Sequence, residues 1–555
     1  MTYLSELLTT ACEELFNVTV EPVLTRPDEQ FGDYATNIAL QLAGKLEKSP
    51  REVAEQLKEY TEENNDGSIA TVAVAGPGFL NITLSDQALW QLTSEISQQS
   101  LKGKTVVAEY SDPNPFKVLH AGHLYTSLVG DSIAKILEAA GADVKRVNFG
   151  GDVGRHVAMT MWAIIQKLGG EYPEKLAIIP EDERLDWVST RYVEGNAAFE
   201  DDDTAKQQIT DYNAQIYAIH ATDDHESPFA QIYWTCRQWS YDGFDRLYAQ
   251  LGMVPFDKYY PESETTPPGI ATVEAGLERG VFKKSDGAVI FDGESYGLHT
   301  RVFLNSQGLP TYEAKDLGLA QRKWQDYHFD MSVMITGNDI VEYMKVVLLA
   351  LSNFHPEVVE RTQHLTHGMV KLAGGVKMSS RKGNILRATD ILDSAMQAAQ
   401  KSGRDVTTDT VLAAVRYAFI KNRIGGDVIY DPEESIALEG NSGPYLQYAH
   451  ARACSILAKK SATKGEPDDL QPGERSLVRK LGMYHEAVDL AVSDLMPHHI
   501  CTYLYELSQV FNRFYEQNHV IGDEREAVRL LLVKTYAQTL KQGLELLNIP
   551  APEKM

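Results

Sequence analysis

Two histidines and a glycine stand in the run His120-Ala121-Gly122-His123, with Lys117 three residues before them. That spacing offers two imidazoles, an ammonium and the amides of a helix start to one anion, and a polyphosphate suits such a set. Gly122 would let a flat ligand approach the backbone closely. A second group, Lys377-Met378-Ser379-Ser380-Arg381-Lys382-Gly383, sets three cations and two hydroxyls beside glycines, the make-up of an anion-binding loop. Either group alone is commonplace. Neither is a Walker lysine loop or a G-x-G-x-x-G fingerprint. Both in this order, with an α/β strand between them, point to phosphate chemistry.

The elements that must hold these groups follow from periodicity. Val106 to Ala108 is apolar throughout and predicts a buried strand. A proline-bearing loop, Ser111 to Leu119, leads into a helix marked by Leu124, Leu128, Ile133, Ile136 and Leu137. Val144 to Asn148 predicts a second strand, followed by a glycine loop with Asp152. Met331 to Thr336 predicts another, ending in Gly337-Asn338-Asp339, where a parallel sheet presents ligand groups. After a further helix comes His367-Gly368-Met369-Val370. The stretch from about 172 to 325 is expected to be an insertion, mostly polar and irregular, with short strands near 288–291 and 300–304. Three domains result: a small α+β unit over 1–103, an α/β unit over 104–405, and an all-α bundle over 406–555.

The chain has 555 residues and is 43% hydrophobic, enough for several cores. No run of about 18 apolar residues predicts a membrane span. The opening MTYLSELLTTACEELF reads as an amphipathic helix and not as a signal peptide. Four scattered cysteines, with no C-x-x-C pair, argue against a thiolate zinc site or a disulfide framework and for a reducing cytoplasm. A formal net charge of -26 argues against a nucleic-acid binder unless a local basic surface exists. The acid runs Glu181-Asp182-Glu183, Glu200 to Asp203 and Asp223-Asp224 read as solvated surface.

The pair HAGH and KMSSRKG resembles the signature pair of the class I aminoacyl-tRNA synthetases, and the wider match is to arginyl-tRNA synthetases. FGDYATNIALQLA and AGPGFLNITL resemble their N-terminal appended domain, EYSDPNPFKVLHAGHL their signature segment, and LPTYEAKDLGLA their arginine-pocket helix. LEGNSGPYLQYAHAR and FNRFYEQNHV resemble their anticodon-binding domain, and the terminal LNIPAPEKM is similar to that of the family. The resemblance implies a Rossmann-like catalytic domain that joins L-arginine to AMP and then to tRNA(Arg), a monomer, and magnesium arriving with ATP. It implies no resident metal.

The implied site can be argued physically. A guanidinium presents five donors in a fixed fork, which two rigid carboxylates accept bidentately and a lysine could not satisfy. By resemblance, Glu109, Tyr312 and Asp316 hold the arginine side chain, Asn114 holds its α-amino or carboxylate end, and Ser111 is a further arginine contact; the i, i+4 spacing sets Tyr312 and Asp316 on one helix face. His120, Gly122, His123, Gly337, Asp339, Met369, Val370, Lys377 and Ser379 are implied ATP contacts, with Asp339 open between ATP and arginine. Lys377, Arg381 and Lys382 add charge. The common loop K-M-S-K-S has a lysine where this chain has Ser380, and Lys117 is expected to replace it. Tyr445, Gln447, Tyr448 and Arg452 are expected to meet unstacked anticodon bases. Two alternatives are a class I synthetase of other amino-acid specificity and a non-catalytic synthetase-like tRNA-binding protein.

Overall fold

The computed structural model describes residues 2–94, 99–373, 386–401, 407–461, 467 and 469–555. The first domain opens with α1 (Thr2–Phe16) and continues through β1 (Tyr34–Thr36), α2 (Ile38–Leu46), α3 (Pro50–Glu63), β2 (Ile69–Ala75), β3 (Phe79–Leu84) and α4 (Asp86–Leu92). Ser49 and Ser85 cap α3 and α4 by accepting from the third helical N–H. The sheet is antiparallel, in the order β1-β3-β2.

The second domain is built on β4 (Thr105–Glu109), α5 (Ala121–Ala139), β5 (Asp143–Gly150) and α6 (Arg155–Leu168). Three long helices follow, α7 (Arg184–Asp201), α8 (Asp203–Ala221) and α9 (Pro228–Gln250), then β6 (Lys258–Pro261) and α10 (Glu262–Glu278). A small antiparallel sheet of β7 (Lys283–Ser285), β8 (Ala288–Phe291) and β9 (Arg301–Leu304) precedes α11 (Tyr312–Tyr327). The chain then adds β10 (Met331–Gly337), α12 (Val341–Ser352), α13 (Pro356–Glu360), β11 (Thr362–His367) and β12 (Val370–Leu372).

The main sheet is wholly parallel, in the order β11-β10-β4-β5-β6. Val106, Val107 and Ala108 of the central strand are all buried, as both faces of such a sheet are covered by helices. The chain winds outward from β4 to β6 and then restarts on the other side with β10. The order in which strands are added therefore reverses between β4 and β10, and the loops leaving their carboxyl ends part to form the crevice where this fold class binds ligands.

The stretch 172–325 is not irregular. It is largely helical, and β6 within it is an outer strand of the main sheet. Its acid runs obscured the helical period because they start helices: Glu181 to Glu183 precede α7, and Asp202 caps α8 by accepting from Thr204 N (2.8 Å) and Ala205 N (3.2 Å). Negative charge at a helix start is stabilising.

The remaining elements are α14 (Ala388–Lys401), α15 (Thr408–Ile420), β13 (Val428–Tyr430), α16 (Pro432–Ser435), α17 (Gly443–Lys459), α18 (Pro472–Leu481), α19 (Tyr484–Asp494), α20 (His498–Gln517) and α21 (Glu526–Leu546). The bundle docks on the first domain through Asp33, which is fully buried and accepts from Arg475 Nη2 (2.8 Å) of α18 and from Leu84 N (2.9 Å). Among the described residues no helix is long and apolar enough to cross a membrane.

Candidate active site

His120 caps α5 in an unusual way. Its Nδ1 accepts from Gly122 N (3.1 Å) and His123 N (3.4 Å), while its own backbone N–H donates to His123 Nδ1 (3.4 Å). The two rings stack with centroids 3.8 Å apart. Each Nδ1 is thus used as an acceptor, so a neutral ring carries its proton on Nε2. Burial, with Lys117 close by, pushes His120 down to about 4, and burial beside His120 holds His123 well below the usual range. The motif therefore offers two neutral N–H donors. A Cβ on Gly122 would lie 2.9 Å from His120 Cε1, so glycine is what allows the ring to fold back over the helix start.

The loop before the motif is held in an uncommon backbone path, with φ of 76° at Ser111, 50° at Asp112 and 67° at Phe116. Asp112 Oδ1 accepts from Phe149 N (2.8 Å) and Asn114 Oδ1 from Gly151 N (2.8 Å), which ties the loop to the end of β5. The Ser111 hydroxyl is buried and shared between Tyr248 Oη (2.7 Å) and Ser127 Oγ (2.7 Å). Ser111 therefore shapes the loop from inside; its hydroxyl is already occupied by protein partners. Phe116 inserts into the core of α6 to α9, stacked on Tyr233 at 5.4 Å.

Four carboxyl groups gather around the crevice, and two lysines answer them. Glu109, 5% exposed at the end of β4, is bonded to Lys323 Nζ of α11. Glu262, at the start of α10, is bonded to Lys315 Nζ (2.5 Å) of the same α11. Asp316 accepts from Tyr343 Oη and has no cation partner among the described residues. Burial pushes its carboxyl up to about 7, and the charges of Glu109 and Glu262 push the same way. Asp112 is likewise held well above the usual carboxylate range by burial and by Glu109. The site is short of positive charge and would gain from a bound cation.

Tyr312 is 56% exposed, with Lys315 Nζ 5.3 Å from its ring centre. Helices α10 and α11 cross with almost no space between them: a Cβ on Gly269 would stand 2.0 Å from Ala314 O, and one on Gly318 2.0 Å from Thr265 O. That close crossing brings Glu262 onto α11. Sequence reasoning missed Asp112, Glu262, Lys315, Lys323 and Tyr343. A usable signal existed for Lys323, which lies seven residues after Asp316 on the same helical face.

Gly337 ends β10, and the carboxylate of Asp339, exposed beyond it, acts electrostatically on His120 and His367. Met369 is exposed and Val370 half-buried. Lys377, Ser379, Arg381 and Lys382 lie outside the described residues. The segment that follows them does reach the histidines: Ala121 N donates to Leu386 O (2.8 Å) and Ala388 N to Leu119 O (2.9 Å). On α17, Tyr448 is exposed, Tyr445 accepts from Asn512 Nδ2 (2.9 Å), and Arg452 lies 4.6 Å from the Tyr515 ring centre. Gln447 departs from its expected place. It is fully buried and donates to Pro550 O (2.8 Å) and Asp409 O (3.2 Å), so it anchors the chain's last residues to α17.

Known proteins resemble the chain along its length. The family model for the class I (R) tRNA synthetase catalytic domain matches residues 86–432, that for the arginyl tRNA synthetase N terminal domain residues 2–84, and that for the DALR anticodon binding domain residues 446–555. An arginine–tRNA ligase of Flavobacterium psychrophilum is 30% identical over 100% of this chain and 99% of its own, and one of Bdellovibrio bacteriovorus is 31% identical over 98% and 95%. In fold, the chain is similar to the Thermus thermophilus arginyl-tRNA synthetase, with a TM-score of 0.80 at 24% identity and full coverage of both chains. On the catalytic-domain match and the full-length relatives, this chain belongs to the arginyl-tRNA synthetases of class I.

Proposed function

We propose that the crevice between β4 and β10 carries out both steps of arginine–tRNA ligation with the residues named above. The observation that carries this reading is the pairing of a cation-poor carboxylate pocket with two neutral histidine donors at a helix start. L-arginine enters with its guanidinium toward Asp316 and Glu109, beside Tyr312, and its α-amino and carboxylate end near Asn114. Its carboxylate is ionised at neutral pH, so activation needs no general base. A carboxylate oxygen attacks the α-phosphorus of ATP; the new O–P bond forms as the bond to the pyrophosphate oxygen breaks. Positioning and charge stabilisation are the protein's whole task.

The Nε2–H groups of His120 and His123 donate to the phosphate oxygens, Gly122 admits the nucleotide to the backbone, and Lys117 supplies the cation that Ser380 does not. Gly337, Asp339, Met369 and Val370 border the nucleotide, and Lys377, Ser379, Arg381 and Lys382 carry the ATP-binding and charge roles that the family resemblance implies. Magnesium enters as part of the nucleotide substrate. In the second step the 2′-hydroxyl of the terminal ribose of tRNA(Arg) attacks the adenylate's carbonyl carbon; the ester bond forms as the bond from that carbon to the phosphate oxygen breaks, and AMP leaves with the hydroxyl proton released. Tyr445, Tyr448 and Arg452 receive the anticodon, acting in a cytoplasmic monomer. Arginine-dependent ATP–pyrophosphate exchange, with and without tRNA(Arg), tests the assignment. Exchange that appears with arginine and tRNA and drops in Lys117→Ala supports it; absence of exchange in the parent under those conditions sinks it.

A further inference from the structure

Three lysines reach the crevice, and they differ in what they rest on. Lys315 and Lys323 are bonded to Glu262 and Glu109. Lys117 has no carboxylate within ion-pair distance among the described residues. Its Nζ lies instead 4.9 Å from the centre of the Tyr192 ring, on helix α7. Burial brings its ammonium down to about 8, with the more distant Glu262 opposing the fall. The residue before it, Phe116, is itself inserted into the core shared by α6 to α9, and Tyr192 packs half-buried against that same core. Two consecutive loop residues thus lean on the helical layer, one by packing and one by charge.

We infer that Tyr192 is a positioning residue for Lys117, its ring face holding the ammonium ready for the phosphates of ATP. The inference rests on the reading of Lys117 as a phosphate ligand. The physical reason for an aromatic partner is that it attracts a cation without neutralising it. A carboxylate in the same place would have to be displaced by the incoming polyphosphate, and the broken pair would cost binding energy. On the ring, Lys117 gives up little when the phosphates arrive, and no counter-ion has to be displaced.

A double-mutant cycle on tRNA-supported, arginine-dependent ATP–pyrophosphate exchange tests this. Tyr192→Leu is expected to lower kcat about 2- to 30-fold, the range of a lost cation–ring contact, and to have no further effect in a Lys117→Ala background. Tyr192→Phe, which keeps the face and loses only the hydroxyl, is expected to restore parental exchange. Additive losses from Tyr192→Leu and Lys117→Ala, parental exchange in Tyr192→Leu, or failure of Tyr192→Phe to restore it overturns the inference while leaving Lys117's own role intact. Parental exchange in Lys117→Ala overturns both.

Discussion

Asp131 and Arg416 form an ion pair of 2.7 Å in which neither side chain has any exposed surface. Asp131 lies on α5, the helix that begins with the histidine motif, and Arg416 on α15 of the bundle. Arg416 also donates to Leu251 O from Nε (3.2 Å) and Nη2 (3.0 Å), and to Leu547 O (3.4 Å). Asp131 accepts further from Val254 N (3.1 Å) and from Asn548 Nδ2 (2.8 Å). One pair therefore gathers α5, α15, the connection after α9 and the chain's last residues. A guanidinium fork is needed to serve acceptors in several directions at once.

Removing either charge leaves its partner buried without compensation. Arg416→Met or Asp131→Leu is expected to cost about 3–5 kcal/mol, seen as a lower unfolding midpoint in denaturant, with Arg416→Lys recovering only part. A double replacement, Asp131→Leu with Arg416→Met, should be more stable than either single change, because both buried charges leave together. A double variant less stable than both singles would contradict this account of the seam.

The histidine cap predicts separate effects on folding and on rate. Gly122→Ala places a methyl 2.9 Å from the His120 ring and forces that ring off the helix start. Exchange should fall by about 10²-fold or more, since misplaced donors no longer meet the phosphates. Stability should drop by only about 1 kcal/mol, the value of a cap. His120→Asn keeps a capping oxygen, so it should unfold near the parental midpoint yet still lose activity. Equal losses of midpoint in the two variants would argue against the cap geometry.

Arginine binding should depend on pH through Asp316. Burial and the neighbouring carboxylates hold this group near 7 when no cation is bound, so it is mostly protonated below that pH. A bound guanidinium favours the ionised form and lowers the pKa. Binding must therefore release a proton, and affinity should weaken up to tenfold per pH unit as pH falls below about 7. Calorimetric titration in buffers of different ionisation enthalpy measures that release directly. Asp316→Asn should bind arginine weakly at every pH and show no release from this group.

The sequence carried the parallel sheet because β4 and β10 are mainly apolar runs, the pattern of strands covered on both faces, whereas β5 mixes Lys145, Arg146 and Asn148 with its valines and is placed by the helices on either side of it. It carried the histidine motif because a strand, a loop and a helical stripe frame it within some thirty residues. It did not carry the carboxylate pairings, since Glu109 and Lys323 are 214 positions apart and meet only where α11 packs against β4. Nor could residue type separate an outward Tyr448 from an inward Gln447, because α17 has a partner on each side. Its inner side is claimed by residues 550–552, through Gln447 and through His450, whose Nδ1 lies 2.9 Å from Pro552 O.

That two-sided helix gives the last prediction. Tyr448 is exposed beside Arg452, and an unstacked base on its ring is worth about 1–3 kcal/mol. Tyr448→Ala should weaken tRNA(Arg) binding by a corresponding factor of about 5 to 150, with the unfolding midpoint unchanged. Gln447→Ala should do the reverse. It leaves the Pro550 carbonyl buried without its donor, which costs about 1–3 kcal/mol, and it touches no surface that tRNA can reach. Filter binding and denaturant unfolding on both variants separate the two roles. Loss of tRNA affinity in Gln447→Ala at an unchanged midpoint would place the inward assignment in error, because only a base contact, and not the anchoring of residues 550–552, could produce it.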